Sequence, residues 1–542
     1  MKQNFEMVAK TFQGLEDVLA EELRDLGAIN VEPGLRMVSF EGNLEMMYRA
    51  NLACRTALRI LKPIYKFNAS NTDELYDRIK AFDWSEILSL SKTFAIDPVV
   101  YSDIFTNSRF VTYRVKDAIV DYFKDKYGPD KRPGVRVTDA DVLLNVHIAQ
   151  DHITISLDSS GESLHKRGYR VAQTEAPINE VLAAGILLKS GWRGDTPLID
   201  PMCGSGTFLI EAALIAANIM PGIYRRKFAF EQWKDFDGEL LDSIYNDDSA
   251  EREVTNPIIG ADISPAAVSV AERNIKSAGV GRYINISVKP FQNWTREEIP
   301  AEGVLVMNPP YGERIAVADM DNLYTTIGAN LKHVFLGYHA WIIAYHEEYL
   351  RRIGLAPSQK VQLLNGALPC ELREYIIFDG LMSDFRRNGG KLKPSQQMAD
   401  DDDNDAARPR HKGARDDRRD RRDRRQARDS RGEGRRGDDR KWDDRKWDNK
   451  RANRHERKPG QRHDEPHNEL ERAYRPSKGR FADRKPRFAD RDSVPEAPES
   501  ENPLAKRRNV SALRSITGRK PSLPPATGVI MRKRRSGDSS ER

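Results

Sequence analysis

A break in composition near Arg387-Asn-Gly-Gly limits what this 542-residue chain can fold into. Residues 391–542 hold 45 basic and 29 acidic side chains, so about half of that stretch is charged and its net charge is +16. The first 390 residues carry 43 basic and 53 acidic groups, a net of −10, although the whole chain is near balance at +6. A segment so charged and so poor in Leu, Ile, Val and Phe cannot bury enough apolar area to offset the entropy of ordering its backbone. The tail is therefore expected to be disordered. Folding is left to residues 1–390, enough for two or three domains with proper cores. The tail contains two short echoes, Arg-Lys-Trp-Asp at 440–443 and 445–448 and Arg-Phe-Ala-Asp-Arg at 480–484 and 487–491. They are too short for a structural repeat and read as low-complexity linker.

Several classes drop out at once. Cys54, Cys203 and Cys370 show no paired spacing, which speaks against a disulfide framework or a structural zinc site, and no other metal-ligand set stands out. The N-terminus has no apolar core of the signal-peptide type. The most apolar stretch, Leu209–Met220, contains Glu211 and is too short to cross a bilayer. A soluble, cytoplasmic protein is expected.

Periodicity organises the folding part. Phe12, Leu15, Val18, Leu19, Leu23 and Leu26 recur at helical spacing before Gly27, predicting one amphipathic helix over residues 8–26. A strand is expected at Arg36–Glu41, and a second helix from Asn43 to about Leu61, stopped by Pro63. Further helices are expected at Asn71–Ala81 and Arg114–Lys126, and a hairpin at Leu143–Ile148 and His152–Leu157. From about residue 176 apolar runs alternate with long helical patterns: Pro197–Asp200, Pro257–Asp262, Val304–Met307, His339–Ala344 and Tyr375–Phe378. Such runs suit parallel strands covered by helices on both faces. A final hairpin, around Val361–Leu364 and Glu374–Phe378, is expected at the sheet edge.

Three motifs carry chemistry. The first is Leu198-Ile-Asp-Pro-Met-Cys-Gly-Ser-Gly-Thr207, running into an apolar helix. A buried strand delivers Asp200 to its C-terminal end, where open α/β sheets bind ligands, and Gly204 and Gly206 allow close backbone approach before Thr207 opens the helix. The second is Ile258-Ile-Gly-Ala-Asp-Ile-Ser264. Asp262 ends a second strand where a ribose finds its acceptor, or else it caps the next helix, although Ser264 before Pro265 already suits that role. The third is Val304-Leu-Val-Met-Asn-Pro-Pro-Tyr-Gly-Glu-Arg314. Pro309 and Pro310 stiffen the turn and remove N–H donors, leaving carbonyl oxygens, the Asn308 side chain and the flat face of Tyr311 for a planar group bearing an amine.

Together these motifs resemble the class I S-adenosylmethionine-dependent methyltransferases of the amino-methylating group. With Leu164-His-Lys-Arg-Gly-Tyr-Arg170 and Ala176-Pro-Ile-Asn-Glu180 upstream, the chain resembles the THUMP-containing ribosomal RNA methyltransferases that make N2-methylguanine in 23S rRNA. The resemblance, over about residues 1–385, implies an α/β fold: a ferredoxin-like module at 1–60, an RNA-gripping THUMP domain at 61–160, a Rossmann-like methyltransferase domain at 161–388, then the disordered charged tail at 389–542. It implies S-adenosyl-L-methionine as cofactor, held by Asp200, Cys203, Gly204, Gly206, Thr207, Asp262, Ile263 and Gln292. Cys203 reads as a small packing residue, not a covalent catalyst. Catalysis falls to Asn308, Pro309, Pro310 and Tyr311, accepting the amine hydrogens and stacking on the base. RNA is the implied partner, free or in a large-subunit precursor.

Two departures bear on this. After the third strand, where the family tends to carry an acidic residue near the adenine, the chain reads Ser287-Val-Lys-Pro-Phe-Gln-Asn-Trp294, leaving Phe291 or Gln292 to supply those contacts. Larger bifunctional relatives add a second methyltransferase domain, in place of which stands the charged tail, so one methylation is expected.

For RNA, His165, Lys166, Arg167 and Arg170 cluster before the catalytic domain as candidate contacts or as a solvated linker face. Arg225, Arg226, Phe228, Phe230 and Trp233 form a second basic-aromatic stretch, read as packing before stacking. The Arg-rich tail suits auxiliary RNA binding through phosphates and its Trp and Phe rings, or serves only to solubilise. A tRNA guanine-N2 methyltransferase and a non-enzymatic RNA-binding or ribosome-assembly factor are the alternatives.

Overall fold

The computed structural model describes residues 3–175, 177–311, 317–366, 368–378 and 380. The tail and Gly312-Glu-Arg314 of the third motif lie outside the described residues, as does Ala176.

An eight-stranded sheet occupies the N-terminal part. Its strands are β1 (Phe5–Lys10), β2 (Ile29–Gly34), β3 (Met37–Gly42), β4 (Arg59–Asn68), β5 (Thr93–Tyr101), β6 (Gly134–Val135), β7 (Val142–Ala149) and β8 (His152–Asp158), in the spatial order β2-β3-β1-β4-β8-β7-β5-β6. Four helices accompany them: α1 (Glu16–Asp25), α2 (Leu44–Ala53), α3 (Thr72–Ala81) and α4 (Ser108–Tyr127). The sheet is continuous across residues 60 and 61, because β4 pairs antiparallel with β1 on one side and β8 on the other.

Two helices expected from sequence differ here. Residues 8–26 are not one helix: Phe5–Lys10 is a strand whose Met7 and Ala9 face the core at period two, and α1 begins only at Glu16. The ladder to β3 and β4 claims residues 8–10, ahead of the helical spacing that starts at Phe12 and Leu15. Leu15 then packs into a second core, against Gly185. The second helix likewise stops at Ala53, with Asn43 as its N-cap accepting from the Met46 amide at 3.0 Å. Pro63 lies inside β4, at a register irregularity between Pro63 and Tyr65 where a missing N–H does not break the ladder. The expected hairpin is present as β7 and β8.

The second sheet holds β9 (Leu198–Asp200), β10 (Ile258–Asp262), β11 (Ile284–Val288), β12 (Gly303–Met307), β13 (Tyr338–Ala344), β14 (Gln359–Asn365) and β15 (Leu368–Ile376), in the order β11-β10-β9-β12-β13-β15-β14. The first five are parallel, and β15 and β14 run antiparallel. The closing hairpin is therefore longer than expected: its second strand starts at Leu368 and ends at Ile376, and β14 is the edge. Helices α5 (Glu180–Lys189), α6 (Thr207–Ala216), α7 (Gly238–Tyr245), α8 (Pro265–Ala278), α9 (Val317–His333) and α10 (Glu347–Arg352) complete this part. Strand order reverses at β9, with β10 on one side and β12 on the other, and the C-terminal ends of the strands at such a reversal are where open α/β sheets form their ligand crevice.

The basic-aromatic stretch at 225–233 is packing. Phe228, Phe230 and Trp233 enter the core of the N-terminal sheet, and the Phe230 ring stacks on Tyr48 at 4.3 Å. Among the described residues no helix is long and apolar enough to cross a membrane.

Candidate active site

The crevice is built from three strand ends. β9 is buried throughout and presents Asp200, itself buried, whose Oδ1 accepts from the Met202 amide at 3.3 Å. The loop that follows turns on Gly204 (φ +52°) and Gly206 (φ +78°). These glycines have different reasons. A methyl group on Gly206 would lie 3.0 Å from Ala271 Cβ, so the close contact of α6 with α8 needs its absence. A methyl group on Gly204 would meet only the Thr174 hydroxyl, 3.9 Å away, so that side of the loop is open.

β10 ends in Asp262, which is not the cap of α8. Ser264 takes that role, its hydroxyl accepting from the Ala267 amide at 3.3 Å. Asp262 instead spans two loops: Oδ2 accepts from Gly204 N and Oδ1 from Ser264 N, each at 2.9 Å. Next to it Ile263 is 65% exposed, and Val288, paired with Asp262 at the end of β11, is 50% exposed. Both are exposed apolar side chains near the ends of adjacent strands. Val288 escaped the sequence reading, although it ends β11 in register with Asp262 one strand over. Gln292 is exposed, in a short 3-10 turn. Phe291 is not available for adenine: it is buried, its ring parallel to Phe335 at 5.8 Å.

The donor set fits a cationic cofactor. Burial pushes the Asp200 carboxyl well above the ordinary range, and the nearby Asp262 charge pushes it further. Asp200 and Asp262 thus set two carboxyl groups beside each other at neighbouring strand ends, an arrangement that favours a positively charged ligand, and Gly204 is open on the side away from them. Cys203 is buried; desolvation and then Asp200 and Asp262 raise its thiol pKa strongly, so it stays a neutral packing group.

β12, buried along its whole length, ends at Met307, and Asn308 follows it directly. Pro309 is buried, Pro310 exposed, and Asn308 and Tyr311 half-buried. The Tyr311 hydroxyl donates to Asn308 Oδ1 at 2.6 Å and accepts from Asn365 Nδ2 at 3.3 Å. Burial holds that phenol neutral by raising its pKa. Asn365, at the β14–β15 turn, is a site residue that no local pattern announced.

The four residues expected to meet RNA are placed differently. Arg167 is corrected: at 2% exposure it lies in the interior, its guanidinium paired with Glu211 at 3.3 and 3.4 Å and bonded to the Leu164 and Arg55 carbonyls. Arg170 turns inward onto α5 and α6, with its charge paired to Glu180 at 2.7 Å. His165 is half-buried against Ser163, and desolvation, then Arg167 and Lys166, lower its pKa to about 4, so it is neutral near pH 7. Lys166 alone is exposed, paired with Glu162 at 2.5 Å. Arg225 donates to four linker carbonyls, those of Ser160, Glu162, Ser163 and Lys166.

Comparison with known proteins gives the family of each part of the chain. The RlmL ferredoxin-like domain family matches residues 6–61, the THUMP domain family 69–158, and the RMKL-like methyltransferase domain family 167–374. A Synechocystis protein named "Putative RNA methyltransferase" is 39% identical over 373 residues, 68% of this chain and 96% of its own length. The ribosomal RNA large subunit methyltransferase K/L of Syntrophotalea carbinolica is 38% identical over 67% of this chain; the match spans about half of that relative, 52%. A solved structure described as "a putative methyltransferase complexed with SAH" superposes with a TM-score of 0.63 at 31% identity, covering 70% of this chain and all of that one.

Proposed function

The chain belongs to the THUMP-containing, S-adenosylmethionine-dependent RNA methyltransferases, and from that premise we propose that it methylates the exocyclic N2 amine of a guanine in 23S rRNA. The observation that carries the reading is Asn308-Pro-Pro-Tyr311 at the end of buried β12, beside the Asp200 and Asp262 strand ends. The 38%-identical ribosomal RNA large subunit methyltransferase supports the choice of RNA. The setting is the cytoplasm, with the RNA met free or in a large-subunit precursor.

The cofactor supplies an electrophilic methyl group, so the chain has to bind, orient and polarise. Asp200 and the Gly204–Gly206 backbone hold its methionine end, Asp262 the ribose, and Ile263 with Val288 the adenine. The guanine amine is a poor nucleophile because its lone pair is delocalised into the ring. An acceptor on each N–H localises that pair and stabilises positive charge developing on nitrogen. The Asn308 oxygen has two lone pairs. Tyr311 O–H takes one and fixes the amide, which leaves the other for the amine; the Pro309 carbonyl is the second acceptor. The Tyr311 ring supplies the stacking face. Asn308 is an amide and takes no proton, so the proton leaves to water after transfer.

The test is mass spectrometry of nucleosides from 23S rRNA and from tRNA, prepared separately from cells with and without the protein. Loss of N2-methylguanosine from 23S rRNA alone is expected. Loss from tRNA alone overturns the substrate and keeps the chemistry, and no change in either favours a role in assembly. Deleting residues 391–542 is expected to weaken RNA affinity and flatten its salt dependence while leaving chemistry intact.

A further inference from the structure

Residues 170–172, in the linker between the two sheets, hold the cofactor loop from two sides. On one side stands Arg170. Its Nε donates to Glu180 Oε1 at 2.7 Å, Nη1 to Ser205 Oγ at 2.9 Å, and Nη2 to Thr207 Oγ1 at 3.0 Å and the Ile178 carbonyl at 3.3 Å. A guanidinium has five N–H donors, and four interactions leave little of the fork for a phosphate. Ser205, Thr207 and Glu180 are all buried, so the contacts are shielded from solvent.

On the other side stands Asn274 of α8, fully buried. Its Oδ1 accepts from the Val171 and Ala172 amides, each at 3.0 Å, while Nδ2 donates to the Ala172 carbonyl at 2.9 Å and the Ser205 carbonyl at 3.0 Å. All four hydrogen-bonding positions of that amide are filled, so its orientation is fixed. Ser205 is thereby held by its side chain and by its carbonyl. It lies between Gly204, whose N–H meets Asp262, and Gly206, which caps α6.

We propose that Arg170 is a positioning residue for S-adenosylmethionine: through Ser205 and Thr207 it fixes the 203–207 loop in its binding conformation, with Asn274 holding the same loop by its backbone. Arg170 thus governs cofactor affinity and not RNA affinity. This rests on the cofactor site and is independent of which RNA or base is modified.

The experiment measures the affinity of the full-length protein for S-adenosylmethionine and S-adenosylhomocysteine by calorimetry, and for a 23S rRNA fragment across a salt series. Arg170→Gln is expected to weaken cofactor binding by about tenfold, the scale of losing charge-assisted hydrogen bonds. RNA affinity and its salt slope stay at wild-type values. Arg170→Lys, which keeps the charge but not the fork, restores part of the loss. In a Ser205→Ala, Thr207→Val background the acceptors are gone, and Arg170→Gln then costs little more. That non-additivity distinguishes action through these hydroxyls from general support of the fold. Unchanged cofactor affinity in Arg170→Gln overturns the proposal, as does a selective fall in RNA affinity and salt slope. Additive losses, or equal weakening of cofactor and RNA with a lower melting temperature, overturn it too. Should Arg170→Gln not fold, the Arg170→Lys pair of measurements, with and without the two hydroxyls, decides the same question.

Discussion

Asp200 and Glu211 are both buried carboxylates, eleven positions apart on one strand-loop-helix unit, yet their surroundings are opposite. Glu211 lies between Arg167 and the Tyr169 hydroxyl, the latter at 2.9 Å, so its charge is neutralised within the chain. Asp200 has one backbone amide as its recorded hydrogen-bond partner and a second carboxylate, Asp262, as neighbour. A buried charge that carries its own partner is architecture. A buried carboxyl placed beside another is completed from outside, and in the proposed function the cofactor would bring the missing positive charge. The same division separates the linker, whose Arg167 and Arg170 are consumed internally, from the crevice, whose acceptors are open.

The largest effect is expected where the pair is broken. Arg167→Leu strands Glu211 in the interior and should cost about 3–5 kcal/mol of stability, read from denaturant unfolding. Arg167→Leu with Glu211→Leu should recover most of that loss, because two apolar groups replace two charges. A single variant within about 1 kcal/mol of wild type would mean that water reaches Glu211, and the contrast with Asp200 would lose its basis.

Next comes the open side. Asn308→Ala should lower turnover by about 10²-fold, the usual scale for one acceptor aimed at developing charge, while S-adenosylhomocysteine affinity is retained. Tyr311→Phe keeps the ring and removes the hydroxyl that orients the amide, so a smaller loss of about fivefold is expected, in line with one ordinary hydrogen bond. Wild-type turnover in Asn308→Ala would remove this residue from the site.

How much of this was legible beforehand follows the same line. The crevice motifs were readable because each is local: a buried strand, a carboxylate or amide at its end, then glycines or prolines within ten residues. The parallel strands were readable for the same reason. Interior pairing was not, because the partner of Arg167 lies 44 positions away and nothing near it distinguishes a core guanidinium from a surface one. Residues 8–10 were absorbed into a helix because the spacing of Phe12, Leu15 and the residues after them was carried back too far, and only the neighbouring strands make them part of a strand. Asn274 and Asn365 are single amides on a helix and at a turn, whose meaning comes from what the fold brings beside them.

A third effect is proton linkage at Asp200. In the free protein, burial and Asp262 raise its carboxyl pKa above the unfolded value. The group's contribution to stability is then fully present below the unfolded carboxylate range and is lost as pH rises through the raised value. A bound sulfonium lowers that pKa, so binding between the two values expels a proton and affinity rises with pH before levelling off. Titrations with S-adenosylmethionine in buffers of different ionisation enthalpy should show proton release in that window, and Asp200→Asn should abolish it. Proton uptake would reverse the assignment of Asp200 as the waiting partner of a cation.

The smallest effect belongs to Lys166, which separates the two halves of the comparison within the linker itself. Its neighbours Arg167 and Arg170 are spent inside the fold, but Lys166 is exposed, and among the described residues it pairs with exposed Glu162. Such a pair contributes about 0–1 kcal/mol, so Lys166→Ala should leave the melting temperature nearly unchanged. Binding to RNA is where it can register: removing one phosphate contact should reduce the slope of log affinity against log salt by about one and weaken binding uniformly across sequences. Glu162→Gln, which frees the ammonium, should act in the opposite direction on affinity. An unchanged slope in both variants would mean that residues 164–170 are architecture throughout, and that the RNA path runs over other parts of the N-terminal sheet and the charged tail.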